Sequence, residues 1–356
     1  MSIEQQQMLV NKEALAKVEW ETSPVAPAAS GEVTLSIDYF ALTANNITYA
    51  VAGDSMNYWQ FFPAREGWGR IPVWGFGTVV ASGHPEVAVG ERFYGYYPMG
   101  THLTVQAERV TANGMIDAAE HRAGLAVVYN QYARAGVADA RRDAVEMLYR
   151  PLFMTSFLLA DFVEDRDRFG ATSVILTSAS SKTSIGLALL LAQVDGLEVV
   201  GLTSPGNKTF VEGLGIYDRT LAYDEVTALD AATSSVVIDM AGNGSVLASI
   251  HKHFDTALTY SCLVGATHWE ARGGARELPG PSPELFFAPS RIAQRTKDWG
   301  PGGLQERFQG AWDAFTAAAD GWIDVASEQG TAAIGSRYQQ LLANDVSPNL
   351  GLVLKV

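Results

Sequence analysis

Apolar and polar residues alternate along residues 31–112, which is the period of β-strands that bury one face. The alternation predicts strands over EVTLSIDYFAL and IPVWGFGTVVASG, the second of which ends in a glycine turn. It also predicts a pair of strands over ERFYGYYPMGTHLTVQAERV, with a turn near Pro98 and Gly100. Small antiparallel units fit this spacing, so the segment is predicted to be a β-rich region.

Residues 117–150 have a different composition, rich in Ala, Glu, Arg and Leu and without proline. These residue types favour helix formation. The segment is therefore predicted to be helical, as an insertion that follows the β-rich region.

Beyond Pro151, short apolar runs alternate with segments that favour helix. The predicted strands are TSVILTSA, LEVVGLTS, RTLAY, SSVVIDMAG, TALTYSCLVG and PELFFAP, and the helices between and after them are SIGLALLLAQV, KTFVEGLGI, GSVLASIHKHF and GLQERFQGAWDAFTAAADGW. This alternation predicts a parallel sheet covered by helices on both faces, the doubly wound arrangement. The last strand, LGLVLKV, is predicted to join a different sheet.

Composition narrows the class of protein. With 356 residues, 47% of them hydrophobic, the chain can bury a large core and is predicted to form two domains. A net charge of −14 disfavours binding to a phosphate backbone, so no nucleic-acid partner is expected. No run approaches the roughly 20 apolar residues of a membrane span, and the first residues lack the order of a signal peptide. No membrane association and a cytoplasmic location are therefore expected.

The segment SASSKTS, residues 178–184, follows the first strand of the predicted parallel sheet and precedes its helix. Phosphate groups commonly bind at this junction, where glycines let the backbone approach them. Here Ser180, Ser181 and Thr183 offer hydroxyl donors, and Lys182 adds a positive charge. Gly186 stands where the helix must pack closely on the strand. Two interpretations remain open, a cofactor-binding turn and a plain serine-rich helix cap.

The second strand of the unit ends in GLTSPGNK, without a carboxylate. Units that bind NAD usually carry an acidic residue there, which holds the ribose 2′-hydroxyl. Ser204, Asn207 and Lys208 instead provide donors and a cation, which suit a 2′-phosphate. This favours NADP(H) as the cofactor; the alternative is an ordinary polar turn with a solvated Lys208.

In the order of its segments the chain resembles the medium-chain dehydrogenase/reductases, specifically their zinc-free, quinone-oxidoreductase-like branch and the DUF2855 group within it. The resemblance rests on LSIDYFALTANNITYAVAGD, IPVWGFGTVVASGHPEVAVGERFYGY, LFMTSFLLADF, VVIDMAGNGSV and TYSCLVGATHW. It implies an α/β fold with a GroES-like β-rich catalytic domain, residues 1–150 and 322–356, and a doubly wound (Rossmann) domain, residues 151–321, that binds NADP(H). It also implies a substrate site in the cleft between the domains and, by analogy, a homodimer joined at the fifth and sixth strands of the cofactor domain.

The resemblance assigns cofactor-facing positions one by one. The loop Ser180–Ser184 corresponds to the pyrophosphate site, although it departs from the glycine pattern of the family. Ser204 and Lys208 correspond to the 2′-phosphate site, and Tyr223 to a tyrosine that borders the adenosine ribose. The remaining positions follow the later strands: Ala241, Gly242, Val264, Gly265, Phe287 and Ala288.

Tyr49, in NNITYA, corresponds to a tyrosine near the nicotinamide in the quinone-oxidoreductase-like branch, and it is predicted to donate a hydrogen bond or a proton to the substrate. Asn46 is predicted to orient the substrate carbonyl. Tyr149 and Arg150 are predicted to reach the same cleft, with Arg150 holding a carboxylate or phosphate. The alternatives are a core position for Tyr49, with its hydroxyl bonded to backbone, and an ordinary surface position for Arg150.

No zinc site is predicted. Zinc-dependent relatives place ligands at positions where this chain has Thr43 through Asn46 and Trp74 through Phe76, and its only cysteine is Cys262. Cys262 lies in an apolar strand and is predicted to be buried and inert. His251 and His253 lie on a predicted helix and are expected at the surface, whereas His268 is expected near the cofactor.

The function expected from these residues is NADPH-dependent, zinc-independent reduction of a small activated alkene, quinone or carbonyl compound. The alternative is a cofactor-binding sensor or accessory protein on a dehydrogenase scaffold, in which the altered loop has weakened turnover. A third interpretation is that the Ser-Lys-Thr loop binds a different phosphate ligand.

Overall fold

The computed structural model describes residues 3–264, 278–319 and 321–356. By its internal contacts the chain divides into two units. The first unit comprises Met1–Leu148 and Ile323–Val356, and the second comprises Tyr149–Trp322. The first unit is therefore discontinuous in sequence, and the second is continuous.

The described residues form seventeen β-strands. In chain order they are β1 (Glu4–Asn11), β2 (Val18–Pro24), β3 (Glu32–Leu42), β4 (Trp68–Gly69), β5 (Pro72–Ser82), β6 (Arg92–Pro98), β7 (His102–Thr111), β8 (Gly114–Asp117), β9 (Gln131–Ala135), β10 (Ser173–Leu176), β11 (Glu198–Thr203), β12 (Arg219–Ala222), β13 (Ser235–Asp239), β14 (Leu258–Val264), β15 (Glu284–Phe286), β16 (Asp324–Gln329) and β17 (Leu350–Lys355).

Eight α-helices accompany these strands among the described residues. They are α1 (Ala44–Val51), α2 (Ala140–Asp165), α3 (Lys182–Leu191), α4 (Lys208–Leu214), α5 (Gly244–Phe254), α6 (Ala288–Trp299), α7 (Gly303–Ala318) and α8 (Thr331–Leu342). None of the helices in this part of the chain has the length and apolar character that a membrane crossing would need.

The first unit is built on an eight-stranded sheet in the order β16-β17-β3-β5-β6-β9-β8-β7. A further pairing between β3 and β7 closes part of this sheet on itself. Neighbouring strands are antiparallel except β16 and β17, which are parallel. The C-terminal strand β17 therefore belongs to the β-rich unit and not to the parallel sheet, as its sequence predicted. A small sheet, β2-β1-β4, completes the unit.

The second unit is built on a six-stranded parallel sheet in the order β12-β11-β10-β13-β14-β15. Numbered within the unit this order is 3-2-1-4-5-6, which is the dinucleotide-binding arrangement with its switch point between β10 and β13. Alternate residues of one strand enter different cores: Val174 packs on one face of the sheet and Ile175 on the other. The doubly wound sheet predicted from the apolar runs is confirmed, because strands covered on both faces need apolar residues throughout.

The prediction of a helical insertion over residues 117–150 is wrong for most of its length. Residues Gln131–Ala135 form β9, which pairs with β6 on one side and with β8 on the other. Tyr132 provides the reason: its ring is buried, and its hydroxyl donates to the carbonyl of Tyr96 at 2.5 Å. Only from Ala140 onward is the segment α-helical, and this helix continues through Pro151 to Asp165.

Candidate functional site

The carboxyl ends of β10 and β13 are joined at the switch point of the parallel sheet. The Thr177 hydroxyl donates to Oδ1 of Asp239 at 2.5 Å, and both side chains are buried. The same hydroxyl oxygen accepts the amides of Met240 and Ala241, and Oδ1 of Asp239 also accepts the amide of Gly242 at 3.3 Å. Ala241 and Gly242, predicted at the adenosine, are thus held with their amides turned toward this buried pair.

The loop between β10 and α3 is held by its own hydroxyl groups. Ser181 is the N-cap of α3, and its Oγ accepts the amide of Ser184 at 3.2 Å. The Ser184 hydroxyl is fully buried and donates to the carbonyl of Thr177 at 3.0 Å. Ser181 and Ser184 therefore stabilise the loop, so the helix-cap interpretation is correct for Ser181. Ser178 begins the turn with a φ of +50°, a conformation that glycine adopts more easily.

The first turn of α3 keeps groups that suit an anion. The amides of Lys182 and Thr183 precede the capped amide of Ser184, at positions where a helix has no internal acceptor for them. Lys182 is half-buried, with its Nζ 5.8 Å from the centroid of the Tyr149 ring. Burial lowers the pKa of Lys182 to about 8, and no carboxylate of the described residues pairs with it. A negative group bound here would relieve this unfavourable burial of charge.

Gly186 lets α3 approach α2 closely. A Cβ at this position would lie 2.8 Å from Oγ of Ser156 and 2.9 Å from Cδ2 of Phe153. The Ser156 hydroxyl also donates to the carbonyl of Thr183 at 2.7 Å, so α2 and the first turn of α3 are directly connected.

The ends of β11 and β12 contact the same loop. Nδ2 of Asn207 donates to Oγ of Ser180 at 3.1 Å, and the amide of Ser178 donates to the Tyr223 hydroxyl at 3.2 Å. Burial raises the pKa of Tyr223, which is therefore neutral at physiological pH. Three consecutive strand ends, those of β10, β11 and β12, thus meet at the N-terminus of α3.

Lys208 is paired rather than free in the described structure. Its Nζ lies 2.6 Å from Oε2 of Glu225, a carboxylate oxygen that also accepts the amide of Ala222 at 2.8 Å. Hydrogen bonding to Glu225 raises the pKa of Lys208, so the ammonium is charged. Ser204, half-buried, precedes the short 3₁₀ helix Pro205–Asn207. A phosphate at this position would share Lys208 with Glu225.

The later strand ends are described in part. Val264 is half-buried at the end of β14, and Gly265 and His268, which follow it, lie outside the described residues. Phe287 is the N-cap residue of α6 and is 45% exposed, and Ala288 opens that helix. The three described positions thus lie at the ends of β14 and β15.

In the first unit, α1 follows β3 directly and carries two of the predicted catalytic residues. Oδ1 of Asn46 accepts the amide of Thr43 at 2.7 Å, and Nδ2 of Asn46 donates to the carbonyl of Pro72 at 2.8 Å. Both ends of this buried carboxamide are therefore engaged in the N-terminal cap of α1. These bonds hold the N-terminus of α1, and the role of Asn46 in orienting a substrate carbonyl stays a prediction.

Tyr49 lies one turn further along α1, and its ring is 4% exposed. Its hydroxyl accepts a hydrogen bond from Nε1 of Trp74 at 3.5 Å, and within the described ranges no backbone group bonds to it. Burial, and to a lesser extent the neighbouring Tyr58, raises the pKa of Tyr49 well above its usual value. Tyr96 and Tyr129 lie beside it, with ring centroids 5.7 and 6.4 Å away.

Of these neighbours, Tyr129 was not expected from the sequence. It lies in the 3₁₀ helix Val127–Asn130, within the segment predicted as helical insertion, and Arg122 fixes it there. Nη1 of Arg122 donates to the Tyr129 carbonyl at 3.3 Å, and Arg122 is paired with Asp117 in a buried ion pair at 2.9 Å. Aromatic residues are dense between residues 58 and 97 of the sequence, a range that includes Tyr58, Trp74 and Tyr96 but not Tyr129.

Tyr149 and Arg150 lie on α2 in the second unit. Tyr149 is 2% exposed, with its ring 5.2 Å from that of Phe315 and 5.8 Å from Nζ of Lys182, and its contact with a substrate stays a prediction. Arg150 is half-buried, and its guanidinium lies over the ring of Phe308 at 5.3 Å.

The surface position expected for His251 is wrong. His251 is fully buried, with Nδ1 2.8 Å from the carbonyl of Pro279 and Nε2 2.9 Å from Oγ of Ser261. His253, on the outer side of the same helix, is half-buried. Cys262 is buried as predicted, and burial raises the pKa of its thiol well above the usual value.

No cluster of three or more His, Cys, Asp or Glu side chains suited to a metal ion occurs within residues 3–264, 278–319 and 321–356. Zinc-dependent relatives place ligands at positions that include Thr43, Asn46 and Trp74 of this chain. These three residues form the hydrogen bonds of the α1 cap and of Tyr49 described above.

No curated protein matches the chain in sequence. Solved structures match it over nearly their whole length at low identity. CurA from Vibrio vulnificus, solved with NADPH, has a TM-score of 0.62 and 11% identity, with 98% of each chain covered. CurK enoyl reductase has a TM-score of 0.60 and 15% identity, with 99% of each chain covered. The quinone oxidoreductase from Coxiella burnetii has a TM-score of 0.54 and 13% identity, with 99% of this chain and 100% of that chain covered.

These similarities show the fold, a GroES-like β-rich domain together with a Rossmann domain, and they confirm the fold class predicted from the sequence. The family is shown by a sequence model. The model described as "Protein of unknown function (DUF2855)" matches residues 40–347, which is most of the chain. The chain therefore belongs to the DUF2855 family.

Proposed function

We propose that this protein is an NADPH-dependent, zinc-independent oxidoreductase that reduces a small activated alkene, quinone or carbonyl compound. The observation that carries the proposal is the meeting of three strand ends at the N-terminus of α3. Lys182 brings to this point a half-buried cation that no carboxylate of the described residues neutralises. This combination suits a phosphorylated ligand at the switch point of the sheet.

The residues present fit the two phosphate groups of NADP(H). For the pyrophosphate, the first turn of α3 offers the amides of Lys182 and Thr183, the Thr183 hydroxyl and the Lys182 ammonium. Ser180 lies in the same loop and keeps a hydroxyl hydrogen to donate, because its oxygen accepts from Asn207. Helix N-termini and a lysine together are a common phosphate-binding set.

For the 2′-phosphate, the end of β11 offers Ser204 and Lys208 and carries no carboxylate of its own. Glu225 pairs with Lys208 and so reduces its attraction for a phosphate, but an ammonium has three donors and one of them suffices for each partner. A ribose hydroxyl, by contrast, finds no acidic residue on this strand to accept its hydrogen bond.

When bound, NADPH supplies a hydride to the substrate. The residues of the first unit would bind and orient the acceptor. Burial keeps Tyr49 neutral, so its hydroxyl remains an O–H donor at physiological pH. The proposal needs no metal ion, because Tyr49 supplies the polar contact that a Lewis acid would otherwise make.

Solved structures of the same fold support the proposal. CurA from Vibrio vulnificus was solved in complex with NADPH, CurK is an enoyl reductase and the Coxiella burnetii protein is a quinone oxidoreductase. For this chain the proposed partners are a small-molecule substrate and NADP(H), and no nucleic acid or membrane is among them. The proposed location is the cytoplasm.

The test is a titration of the purified protein with NADPH and with NADH, followed by quenching of tryptophan fluorescence. We expect tight binding of NADPH and weak binding of NADH. Lys208→Ala should weaken NADPH by about 10- to 150-fold, since a lost hydrogen bond to a charged group contributes about 1.5–3 kcal/mol, and it should leave NADH unchanged. Lys252→Ala, which removes an exposed lysine of α5 in the same unit, is the matched control. An equal loss for both nucleotides, or no binding of either, would contradict the proposal.

A second candidate function is a cofactor-binding sensor or accessory protein. The observation that favours it concerns the loop before α3. Ser181 and Ser184 stand there in place of glycines, and their hydroxyl groups form hydrogen bonds within the loop. Binding of NADPH without its oxidation across a series of enones and quinones would favour the sensor. Oxidation of NADPH with any of these acceptors would favour the reductase.

A further inference from the structure

The turn that precedes α3 carries side chains where dinucleotide-binding sheets usually have glycines. Ser178 has a φ of +50°, which is unfavourable for a residue with a Cβ atom. Such a backbone conformation persists only where the surrounding structure holds it. The groups that hold residues 178–180 therefore determine how this turn meets a phosphate.

The turn is held from the next two strands of the sheet. The amide of Ala179 donates to the carbonyl of Leu202 in β11 at 3.0 Å. The Tyr217 hydroxyl, from the segment between α4 and β12, donates to the carbonyl of the same Ala179 at 2.8 Å. Both backbone polar groups of Ala179, which is fully buried, are thus bonded to this part of the unit.

Tyr217 is itself fixed against β11. A Cβ atom at Gly201 would lie 2.9 Å from Cδ1 of Tyr217 and 3.0 Å from Cβ of Ala179, so the ring and the turn occupy the space that a side chain would fill. The next residue, Asp218, donates its amide to the Val199 carbonyl at 2.9 Å and accepts the Val199 amide on its carboxylate at 2.7 Å. Burial raises the pKa of Tyr217, so its hydroxyl keeps the proton that it donates.

The bond from Tyr217 fixes the direction of the following amide. A trans peptide unit is planar, and its N–H points away from its C=O. The peptide between Ala179 and Ser180 is trans. Because Tyr217 holds the Ala179 carbonyl on one side, the N–H of Ser180 points to the other side. No group within the described ranges accepts a hydrogen bond from the Ser180 amide, so it is a donor that the turn does not use.

The Ser180 amide adds to the donors of the first turn of α3. The amides of Lys182 and Thr183 have no acceptor within the helix. The amide of Ser181, between them and Ser180, is engaged with the Ser178 carbonyl at 2.7 Å. Backbone amides that converge beside a helix N-terminus bind phosphate groups. A diphosphate is longer than a single phosphate, so it can use the Ser180 amide as well as those of the helix.

We infer that Tyr217 is a positioning residue: by holding the Ala179 carbonyl, it turns the Ser180 amide toward the diphosphate of the bound ligand. The inference rests on the proposed function and deepens it, because it identifies what orients a turn that lacks glycines. Tyr217 acts through the backbone and does not touch the ligand. It lies 38 positions after Ala179 in the sequence, where it precedes an ordinary short strand.

The test uses two ligands that each carry one part of the dinucleotide, measured by isothermal titration calorimetry. Inorganic pyrophosphate reports on the turn, and adenosine 2′-monophosphate reports on the end of β11. Tyr217→Phe keeps the ring and removes only the hydroxyl. We expect it to weaken binding of pyrophosphate by about tenfold and to leave binding of adenosine 2′-monophosphate unchanged. A general loss of structure would weaken both ligands.

Tyr260→Phe is the matched control. The Tyr260 hydroxyl lies in the same unit but bonds to the Glu284 carboxylate at 3.0 Å, on β14 and β15. This variant should bind both ligands as wild type does. Absence of pyrophosphate binding by the wild type, equal binding of pyrophosphate by wild type and Tyr217→Phe, or an equal loss of both ligands in Tyr217→Phe would overturn the inference.

Amide hydrogen exchange provides a second readout that needs no ligand. Since the Tyr217 hydroxyl holds the turn, Tyr217→Phe should speed exchange in the peptide that contains residues 178–184 and leave exchange in α5 at the wild-type rate. Unchanged exchange over residues 178–184 would show that the other bonds hold the turn, and it would overturn the inference.

Failure of the inference and failure of the proposed function are distinguishable. If Tyr217→Phe weakens pyrophosphate as expected but wild type binds no NADPH, the turn is a diphosphate site oriented by Tyr217 and the reductase proposal fails. If wild type and Tyr217→Phe bind NADPH with the same affinity, the proposed cofactor site stands and the positioning role of Tyr217 does not.

Discussion

Ser181 and Ser184 differ from glycines in that each brings a hydrogen-bonding group into the loop before α3. The sequence allowed the hydroxyls to be interpreted as phosphate donors or as a helix cap, and the structure uses these two within the loop. The sequence identifies Lys182 as a cation at this position. It does not reveal that Lys182 is buried, or that no carboxylate of the described structure pairs with it. Burial depends on α2, whose Tyr149 lies more than thirty residues earlier.

His251 provides a prediction about pH at the scale of a single residue. Burial lowers the pKa of His251 in the folded state, so the unfolded chain, whose histidine pKa is about 6.5, binds the proton more tightly. The free energy of unfolding should therefore fall as the pH falls below about 6.5. We expect His251→Gln to reduce this loss, measured by urea unfolding between pH 7 and pH 5.

The matched control for this prediction is His253→Gln, on the same helix but half-buried, which should keep the acid-side loss of wild type. If His251→Gln and wild type lose stability equally over this pH range, burial of His251 does not explain the loss.

At the scale of elements, residues 173–264 were predictable because short apolar runs such as those of β10, β11 and β13 alternate there with segments that favour helix. Residues 131–135 were not, because their alanines and arginine favour helix while pairing with β6 and β8 requires a strand. Here the pairing of strands in the tertiary structure overrides the local preference of the residues for helix. The contacts of Tyr49 with Tyr58, Tyr96 and Tyr129 were only partly predictable for a related reason: these residues lie up to 80 positions apart in sequence and meet only in the folded unit.

Packing of α3 on α2 gives a prediction at this scale. Gly186→Ala should destabilise the protein by about 1–3 kcal/mol, because the added methyl group would overlap Oγ of Ser156 and the Phe153 ring. Gly310→Ala is the matched control in the same unit: it lies within α7 and meets no neighbouring atom, so it should stabilise by about 0.5–1 kcal/mol. Both values follow from chemical denaturation. Equal effects of the two substitutions would contradict the close packing at Gly186.

For the molecule as a whole, we propose a homodimer joined at β15. Among the described residues β15 is an edge strand of the parallel sheet. Leu285 of this strand is 53% exposed, and Phe287, which directly follows the strand, is 45% exposed. Unpaired edges with apolar side chains favour pairing with another chain. We expect twice the chain mass by light scattering at micromolar concentration, and the chain mass alone for Leu285→Lys.

Val137→Lys is the control for the dimer, since Val137 is 89% exposed in the first unit and lies outside any strand. It should keep the mass of wild type. A wild-type protein that is monomeric at every concentration would exclude the dimer.

The division of the first unit into two separate stretches of chain affects synthesis as well as structure. The continuous second unit, Tyr149–Trp322, is complete before β16 and β17 leave the ribosome. Its parallel sheet can therefore form during translation, as domains generally do. The β-rich unit is completed later, because β3 pairs on one side with β17, whose residues 350–355 are made after the whole of the second unit. During this interval β3, including Phe40 and Leu42, lacks the strand that pairs with this edge in the folded unit.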